Sequence, residues 1–404
     1  PMTDKLDWNI PFAGTAGMEM HRPGGVRDAI RAARLYEQLG YVATGYSDQM
    51  QSWIFRSIWS PELIPTAAQV PDYEACYNTI PLLAAVASHT EKILLSTIVD
   101  CYRRSPSILA QELLTLDHIS HGRVMIAVGT GENKQFLPYG LERTEPRNAH
   151  LEEAIRIIKT LMRTTRPVTE PDNRFWKLDE ALVALPPYNP EHPPLVLLAG
   201  GGPRPMRIAG RVADGLLTYL PGGYADQVTS WEADLAAMWS EAARRDRDPK
   251  SLVIAPGVTM VLCENDRQIS EALESPFVRS FVLNLTPVGH HWSKWGGKHP
   301  LGDDWALSLT HRSTKFSRDE LLSVCAMISD EDVQHLMYVG TPEEVASRAA
   351  PWYRSAGFSV VPLIQGSFGT VLFPEQLEPG DNGLPRWHNL NVRFTDEMNR
   401  LLAT

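Results

Sequence analysis

This sequence predicts an α/β fold, a (β/α)8 barrel with insertions, on three observations. Strand-like and helix-like stretches alternate along most of its 404 residues, which is the pattern of parallel βαβ units. Several strand-like stretches, Val124 to Val128 and Leu195 to Leu198 above all, are unbroken apolar runs, as expected for strands covered on both faces. Each of these two runs leads into glycine, with a helix signal further on.

Taken in order, Asn9 to Ala13 reads as the first strand, closed by a Gly14-Thr15-Ala16-Gly17 loop that leads to His21. Val26 to Leu39 follows as a helix, with Ile30, Ala33, Leu35 and Leu39 as its apolar stripe and Gly40 at its end. Val42 to Tyr46 is the second strand and delivers Ser47-Asp48-Gln49. A connection rich in Trp and Pro, Trp53 to Pro71, leads to a helix predicted over Tyr73 to Ser88. Lys92 to Val99 is the third strand, and Pro106 to Ile119 a helix with Pro in its first turn after Ser105. Val124 to Val128 is the fourth strand and His150 to Arg163 an amphipathic helix.

Thr165 to Pro193 is Pro-rich and reads as an excursion from the barrel. Leu195 to Leu198 runs into Gly200-Gly201-Gly202-Pro203, and a helix follows over Met206 to Val212. Gly215 to Tyr219 and Leu252 to Cys263 supply the sixth and seventh strands around a helix from Tyr224 to Arg245. Ser270 to Asp330, with Trp292, Trp295 and Trp305, interrupts the rhythm as an insertion or lid. Thr341-Pro342-Glu343-Glu344 caps a helix to Ala356, and Ser359 to Leu363 is the last strand. One domain over residues 1–404 is therefore expected, with insertions at about 50–72, 165–193 and 270–330.

Composition narrows the function. Hydrophobic residues make up 43% and charged residues 21% of the chain, ordinary for a globular protein with a sizeable core. Acidic residues outnumber basic ones, 48 to 38, without a basic patch, so neither nucleic acid nor an anionic membrane surface is an expected partner. No apolar run has membrane-spanning length and no signal peptide is evident, so the expected location is cytoplasmic. Cys76, Cys101, Cys263 and Cys325 lack metal-ligand spacing, and no metal is expected. No HExxH, Walker or GxSxG pattern is present.

In a parallel barrel the loops after the strands share one rim, and sites are built there. Gly129-Thr130-Gly131 lets backbone approach a flat ligand, and Glu132 is the first ionisable group beyond that strand. Asp48 ends the second strand with Trp53 five residues on; an Asp there also suits a turn cap, and Trp53 a core or lid aromatic. Gly200-Gly201-Gly202-Pro203 before a helix exposes amides able to hold a phosphate, although such a run is equally a tight turn. Arg103 and Arg104 fit either an acidic ligand tail or a solvated face.

In this order, Ser47-Asp48 with Trp53, the strand Leu95 to Val99 leading to Ser105-Pro106-Ser107-Ile108-Leu109-Ala110-Gln111, Gly129-Thr130-Gly131-Glu132, Gly200 to Pro203 with Ala209-Gly210-Arg211-Val212-Ala213-Asp214-Gly215, and Gly340-Thr341-Pro342-Glu343-Glu344-Val345 resemble the luciferase-like monooxygenase superfamily. The GTGE stretch is similar to the branch that uses the deazaflavin coenzyme F420. Pro138-Tyr139-Gly140, Pro186-Pro187-Tyr188 and His299-Pro300-Leu301-Gly302 resemble features of its phthiodiolone ketoreductase type.

The resemblance implies a homodimeric oxidoreductase acting on a carbonyl or alcohol carbon of a small molecule, and the many aromatic residues in Gln51 to Pro71 and Ser270 to Arg318 point to a hydrophobic substrate. It implies that Glu132 is the acid/base, with Gln49 and Trp53 positioning the substrate. It places the cofactor against Asp48, Ile98, Val99, Gly129, Thr130 and Gly131, with its phosphate at Gly200, Gly201, Gly202 and Pro203. It further implies a non-proline cis peptide at Ile98-Val99 or Val99-Asp100. Sugar-phosphate dehydrogenases of the branch have His where this chain has Gln49, and Gln cannot take a proton near neutral pH. The alternatives are an FMN-dependent monooxygenase on the same barrel and a non-catalytic flavin- or lipid-binding barrel.

Overall fold

The computed structural model describes residues 13–15, 24–142, 145–220, 226–285, 292–293, 295–302, 305, 312, 314–356, 363–364 and 368–403. Eight strands form a curled, all-parallel sheet: β1 (Ala13–Thr15), β2 (Ala43–Ser47), β3 (Leu94–Asp100), β4 (Val124–Gly129), β5 (Leu195–Ala199), β6 (Gly215–Leu220), β7 (Val253–Val258) and β8 (Leu363–Ile364). Each pairs with its neighbours in chain order, and β1 is bonded both to β2 and to β8.

The unbroken apolar runs are explained by two covered faces. In β4, Val124, Ile126 and Val128 pack into the layer that holds the helices. The alternate residues Met125 and Ala127 join Ala43, Leu94, Leu197, Leu217, Val253 and Ala255 inside the curl. Full burial of each large side chain stabilises the fold by about 1.5–3 kcal/mol, so neither face of β4 tolerates a charge.

Helices α1 (Gly25–Gln38), α2 (Thr79–Ala87), α3 (Pro106–Ser120), α4 (Arg147–Arg163), α5 (Pro203–Val212) and α6 (Asp226–Ala243) connect the strands. Ser105 caps α3 by accepting the Ile108 N–H at 3.4 Å, with Pro106 in its first turn. The helix expected from Tyr73 begins only at Thr79. Asn78 caps it there, its side-chain oxygen accepting the Ile80 N–H at 3.2 Å.

The seventh strand expected over Leu252 to Cys263 divides at Thr259. Its second part, Met260–Leu262, leaves the main sheet to pair with Tyr338–Gly340. The excursion after α4 holds an antiparallel pair, Val168–Glu170 with Leu178–Ala181. The described part of β1 runs on through Gly14 and Thr15, which the sequence places in a loop, while Asn9 to Phe12, His21 and Ser359 to Pro362 fall outside the described residues.

The segment after β7 builds helices α7 (Asp266–Glu274), α8 (Pro276–Leu285), α9 (Arg318–Cys325) and α10 (Asp330–Leu336). They form a second apolar cluster with Ile54, Phe55, Ile58 and Trp59 from the loop after β2. The two insertions thus pack on each other. Helix α11 (Pro342–Ala356) follows, and a C-terminal helix α12 (Arg386–Leu402), which the sequence reading did not include, packs along it. Its Asn391 side chain donates to the Tyr41 hydroxyl at 3.0 Å. Its signal was available: the apolar residues Leu390, Phe394, Met398 and Leu401 recur at helical spacing.

Asp214, part of the Ala209 to Gly215 motif, is a staple of the fold. Its carboxylate accepts the Val196 N–H at 3.0 Å and pairs with Lys159 at 2.8 Å and Arg163 at 3.0 Å.

His150 on α4 is 5% exposed and stacked on Tyr102, with ring centres 4.2 Å apart, and 4.1 Å from Trp176. Burial pushes its pKa down to about 4, against a smaller upward pull from Glu153. The neutral form is therefore the folded form. Stability from this residue is present above its ordinary value of about 6.5 and is lost as pH falls from there to about 4. Urea unfolding between these pH values is expected to show a loss of up to about 3 kcal/mol in the wild type, flattened in His150→Phe.

Candidate active site

The carboxyl ends of β2 to β6 open onto one cavity of ≈ 670 Å³, within the range of cofactor-plus-substrate sites. Every residue that the sequence reading placed in a site lines it. Asp48, Gln49 and Trp53 come from the β2 loop, and Ile98 and Val99 from the end of β3. Gly129, Thr130, Gly131 and Glu132 follow β4, and Gly200, Gly201, Gly202 and Pro203 follow β5. Parallel strands put these chain-distant loops on one rim.

The Glu132 side chain is 26% exposed, and its Oε2 accepts the Trp53 indole N–H at 2.9 Å. The Lys134 ammonium lies 3.3 Å from the same oxygen and is itself 0% exposed. It donates to the Ser52 carbonyl at 3.2 Å and stands 5.3 Å from the centre of the Trp53 ring. Burial lowers the Lys134 pKa, while the Glu132 charge acts against that shift.

Two further groups tie the β2 and β4 loops together. Gln135 Oε1 accepts the Met50 N–H at 2.7 Å and the Gln51 N–H at 3.2 Å, and its amide donates to the Gln51 carbonyl at 2.7 Å. Asn284 on α8 donates to the Trp53 carbonyl at 2.9 Å. Gln135, Asn284, Thr259 and Leu336 all line the cavity. None was singled out from sequence, because an amide or a Leu inside an insertion carries no pattern that marks a site.

Asp48 has a use that the sequence did not show. Its carboxylate receives Arg103 at 2.8 Å and Arg104 at 2.6 Å, and Arg103 also pairs with Asp100. The two arginines, read as fitting either an acidic ligand tail or a solvated face, are not solvated: their side chains are 10% and 11% exposed and folded onto the rim, and Arg103 lines the cavity. Such a compensated buried cluster holds a wall in place because removal of one member strands the others.

The cis peptide implied for Ile98-Val99 or Val99-Asp100 is absent. The one cis bond among the described residues is Glu145-Pro146. β3 keeps its parallel register with β4 through Asp100, opposite Gly129, in extended backbone.

Tyr219 at the end of β6 closes the wall opposite. Burial raises its phenol pKa, and the Glu132 charge raises it further. Its ring lies over Gly257, its register partner on β7, where an added Cβ would stand 2.6 Å from it.

At the Gly200 to Pro203 turn the Gly200 N–H is spent on the Leu217 carbonyl at 3.0 Å. Pro203 and Pro205 have no N–H. The donors left at the start of α5 are the amides of Gly201, Gly202 and Arg204, beside the exposed Arg204 and Arg207 side chains. Among the described residues no group of three or more His, Cys, Asp or Glu side chains could hold a metal ion, and no helix is long and apolar enough to cross a membrane.

The luciferase-like monooxygenase family profile matches residues 8–359. The phthiodiolone/phenolphthiodiolone dimycocerosates ketoreductase of Mycobacterium kansasii is 31% identical over 354 residues, covering 86% of this chain and 92% of that protein. The F420-dependent glucose-6-phosphate dehydrogenase of Nakamurella multipartita is 29% identical over 214 residues, or 52% of this chain and 56% of that protein. A solved F420-dependent secondary alcohol dehydrogenase in complex with an F420-acetone adduct has the same fold. It superposes with a TM-score of 0.65 at 21% identity, over 91% of this chain and 98% of that one.

Proposed function

Since this chain belongs to the luciferase-like monooxygenase family, we propose that it is a coenzyme F420-dependent oxidoreductase that interconverts a carbonyl and an alcohol on a hydrophobic substrate. The curled sheet is read as its (β/α)8 barrel, with the insertions after β2 and β7 forming the substrate side. The observation that carries the proposal is the Glu132 carboxylate. It stands at the strand-end mouth, held by the Trp53 N–H, between two glycine turns that border one cavity.

The residues fit a flat, phosphate-bearing cofactor. Ile98, Val99 and Leu217 offer an apolar floor, and Gly129 to Gly131 leave backbone at the wall. The remaining amides and arginines at the start of α5 suit a phosphate. When bound there, the deazaflavin supplies or accepts a hydride.

The protein's own task is to handle the proton. Glu132 donates it to the oxygen of a carbonyl being reduced, or takes it from an alcohol being oxidised, through the oxygen that faces the cavity. Trp53 fixes the carboxylate through its indole N–H. Gln49 donates a hydrogen bond to the substrate oxygen without competing for the proton. Phe281 packs on Trp53 with ring centres 5.7 Å apart, so the insertion supports the wall that faces an apolar substrate and keeps water from it.

Anaerobic titration with reduced F420 and, separately, reduced FMN tests the assignment. Tight binding of F420 with ketone-dependent oxidation is expected. Tight binding of FMN alone, with oxygen uptake, would place the protein with the monooxygenases instead. Trp53→Phe keeps the ring but not the N–H, and its kcat is expected to fall about tenfold with little change in cofactor affinity, as read from steady-state rates and the same titration.

A further inference from the structure

The proton chemistry above leaves Lys134 without a role, although placing its ammonium in the interior is expensive. An isolated buried ammonium costs several kcal/mol, and a partner has to offset it. Here the partners converge on the reacting group: Glu132 Oε2 at 3.3 Å and the Ser52 carbonyl at 3.2 Å, with the face of Trp53 at 5.3 Å. Trp53 donates to the same Glu132 oxygen at 2.9 Å. The carboxylate is thus held on one oxygen by two neighbouring donors, one from the β2 loop and one from the β4 loop, which leaves Oε1 for the cavity.

Two other titratable groups approach Lys134 from the loop after β2, Glu74 and Cys76. Glu74 accepts the Ser52 N–H at 2.8 Å, and its charge also supports the ammonium; burial pushes the Cys76 thiol up to about 12, so it stays neutral. Tyr219 is the group that faces Glu132 from β6.

The geometry points to Lys134 as a positioning residue: its ammonium and the Trp53 N–H fix Glu132 Oε2 between them, so that the carboxylate presents its other oxygen to the substrate. The acid/base unit is then a Glu132–Lys134 pair rather than a single carboxyl. The idea rests on Glu132 being the proton-transfer group; in alcohol oxidation its carboxylate takes the hydroxyl proton as the hydride leaves the carbinol carbon for oxidised F420.

The test has one arm without cofactor and one with it. Infrared difference spectra of ligand-free protein, wild type minus Glu132→Gln, isolate the Glu132 carboxylate bands. The same subtraction is made in the Lys134→Met background. The splitting between the two carboxylate stretches, which reports unequal loading of the two oxygens, is expected to shrink without the ammonium; equal splittings overturn the proposal.

In the second arm, Lys134→Met is expected to lower kcat for alcohol oxidation with oxidised F420 about tenfold while changing KM less than about twofold. Lys134→Met should add less than about a twofold loss in the Glu132→Gln background. A loss confined to KM, or the same loss with and without Glu132, makes Lys134 a merely structural residue. Should Lys134→Met fail to fold, Lys134→Gln, which keeps a donor without the charge, is read in the same two arms. A wild type that does not bind F420 defeats the functional assignment, whereas the infrared arm still decides the role of Lys134.

Discussion

Glu132→Gln is expected to lower kcat for carbonyl reduction by about 10³-fold while leaving the Kd for F420 within about threefold. The two side chains are nearly equal in shape, so the amide oxygen can still accept the Trp53 N–H that now reaches Oε2. What is lost is the group that carries the proton in the reaction and that, when ionised, places a negative charge beside Lys134. The ammonium is fully buried, so an uncompensated charge remains inside the mouth. Unfolding free energy is expected to drop by about 1–3 kcal/mol as a result. Steady-state kinetics, a cofactor titration and urea unfolding on one preparation separate these effects. Activity within about tenfold of wild type would mean that proton transfer is carried by another group.

Gly131→Ala is expected to be the most damaging single methyl group in the site. Gly131 has φ +58, a conformation that costs an ordinary residue about 1–2 kcal/mol. A Cβ there would stand 2.3 Å from the ring of Phe136 and 2.9 Å from the Asp100 Cβ. Neither can yield: Phe136 is 0% exposed and packed on Tyr102, and Asp100 is paired with Arg103. Strain and clash together should lower stability by about 3 kcal/mol or more. Displacement of the loop would also break the Gln135 clamp on Met50 and Gln51 and carry Glu132 away from Trp53. Melting temperature and F420 affinity are therefore expected to fall together. A loss below about 0.5 kcal/mol would contradict the turn geometry on which the site depends.

How much of this could be read beforehand follows from what each residue reports locally. The strands of the curled sheet were legible because burial on both faces leaves an apolar run that few other structures require, as in Val124 to Val128. The rim loops were legible because glycine directly after such a run marks close backbone approach, as at Gly129 to Gly131. Asp48 and Glu132 were found for the same reason: they are the first charges beyond a strand.

Other features depend on distance in space. Lys134 looks like a surface charge in sequence, and only the fold places it against Glu132 and Trp53. The inward turn of Arg103 and Arg104 depends on Asp48, 55 and 56 residues away. The division of the seventh strand at Thr259 needs Tyr338–Gly340 as partner, and no local pattern announces it. The start of α2 at Thr79 instead of Tyr73 was a local error, since the Asn78 cap could have been recognised.

The most direct test of the account follows one hydrogen atom. F420 reduced with deuterium at C5 is mixed anaerobically with the protein and a hydrophobic ketone, and the alcohol is examined by mass spectrometry and NMR. The account predicts one deuterium on the carbinol carbon, formed at a rate that Glu132→Gln reduces by about 10³-fold. Alcohol without deuterium, or turnover only with reduced FMN and oxygen, would contradict it.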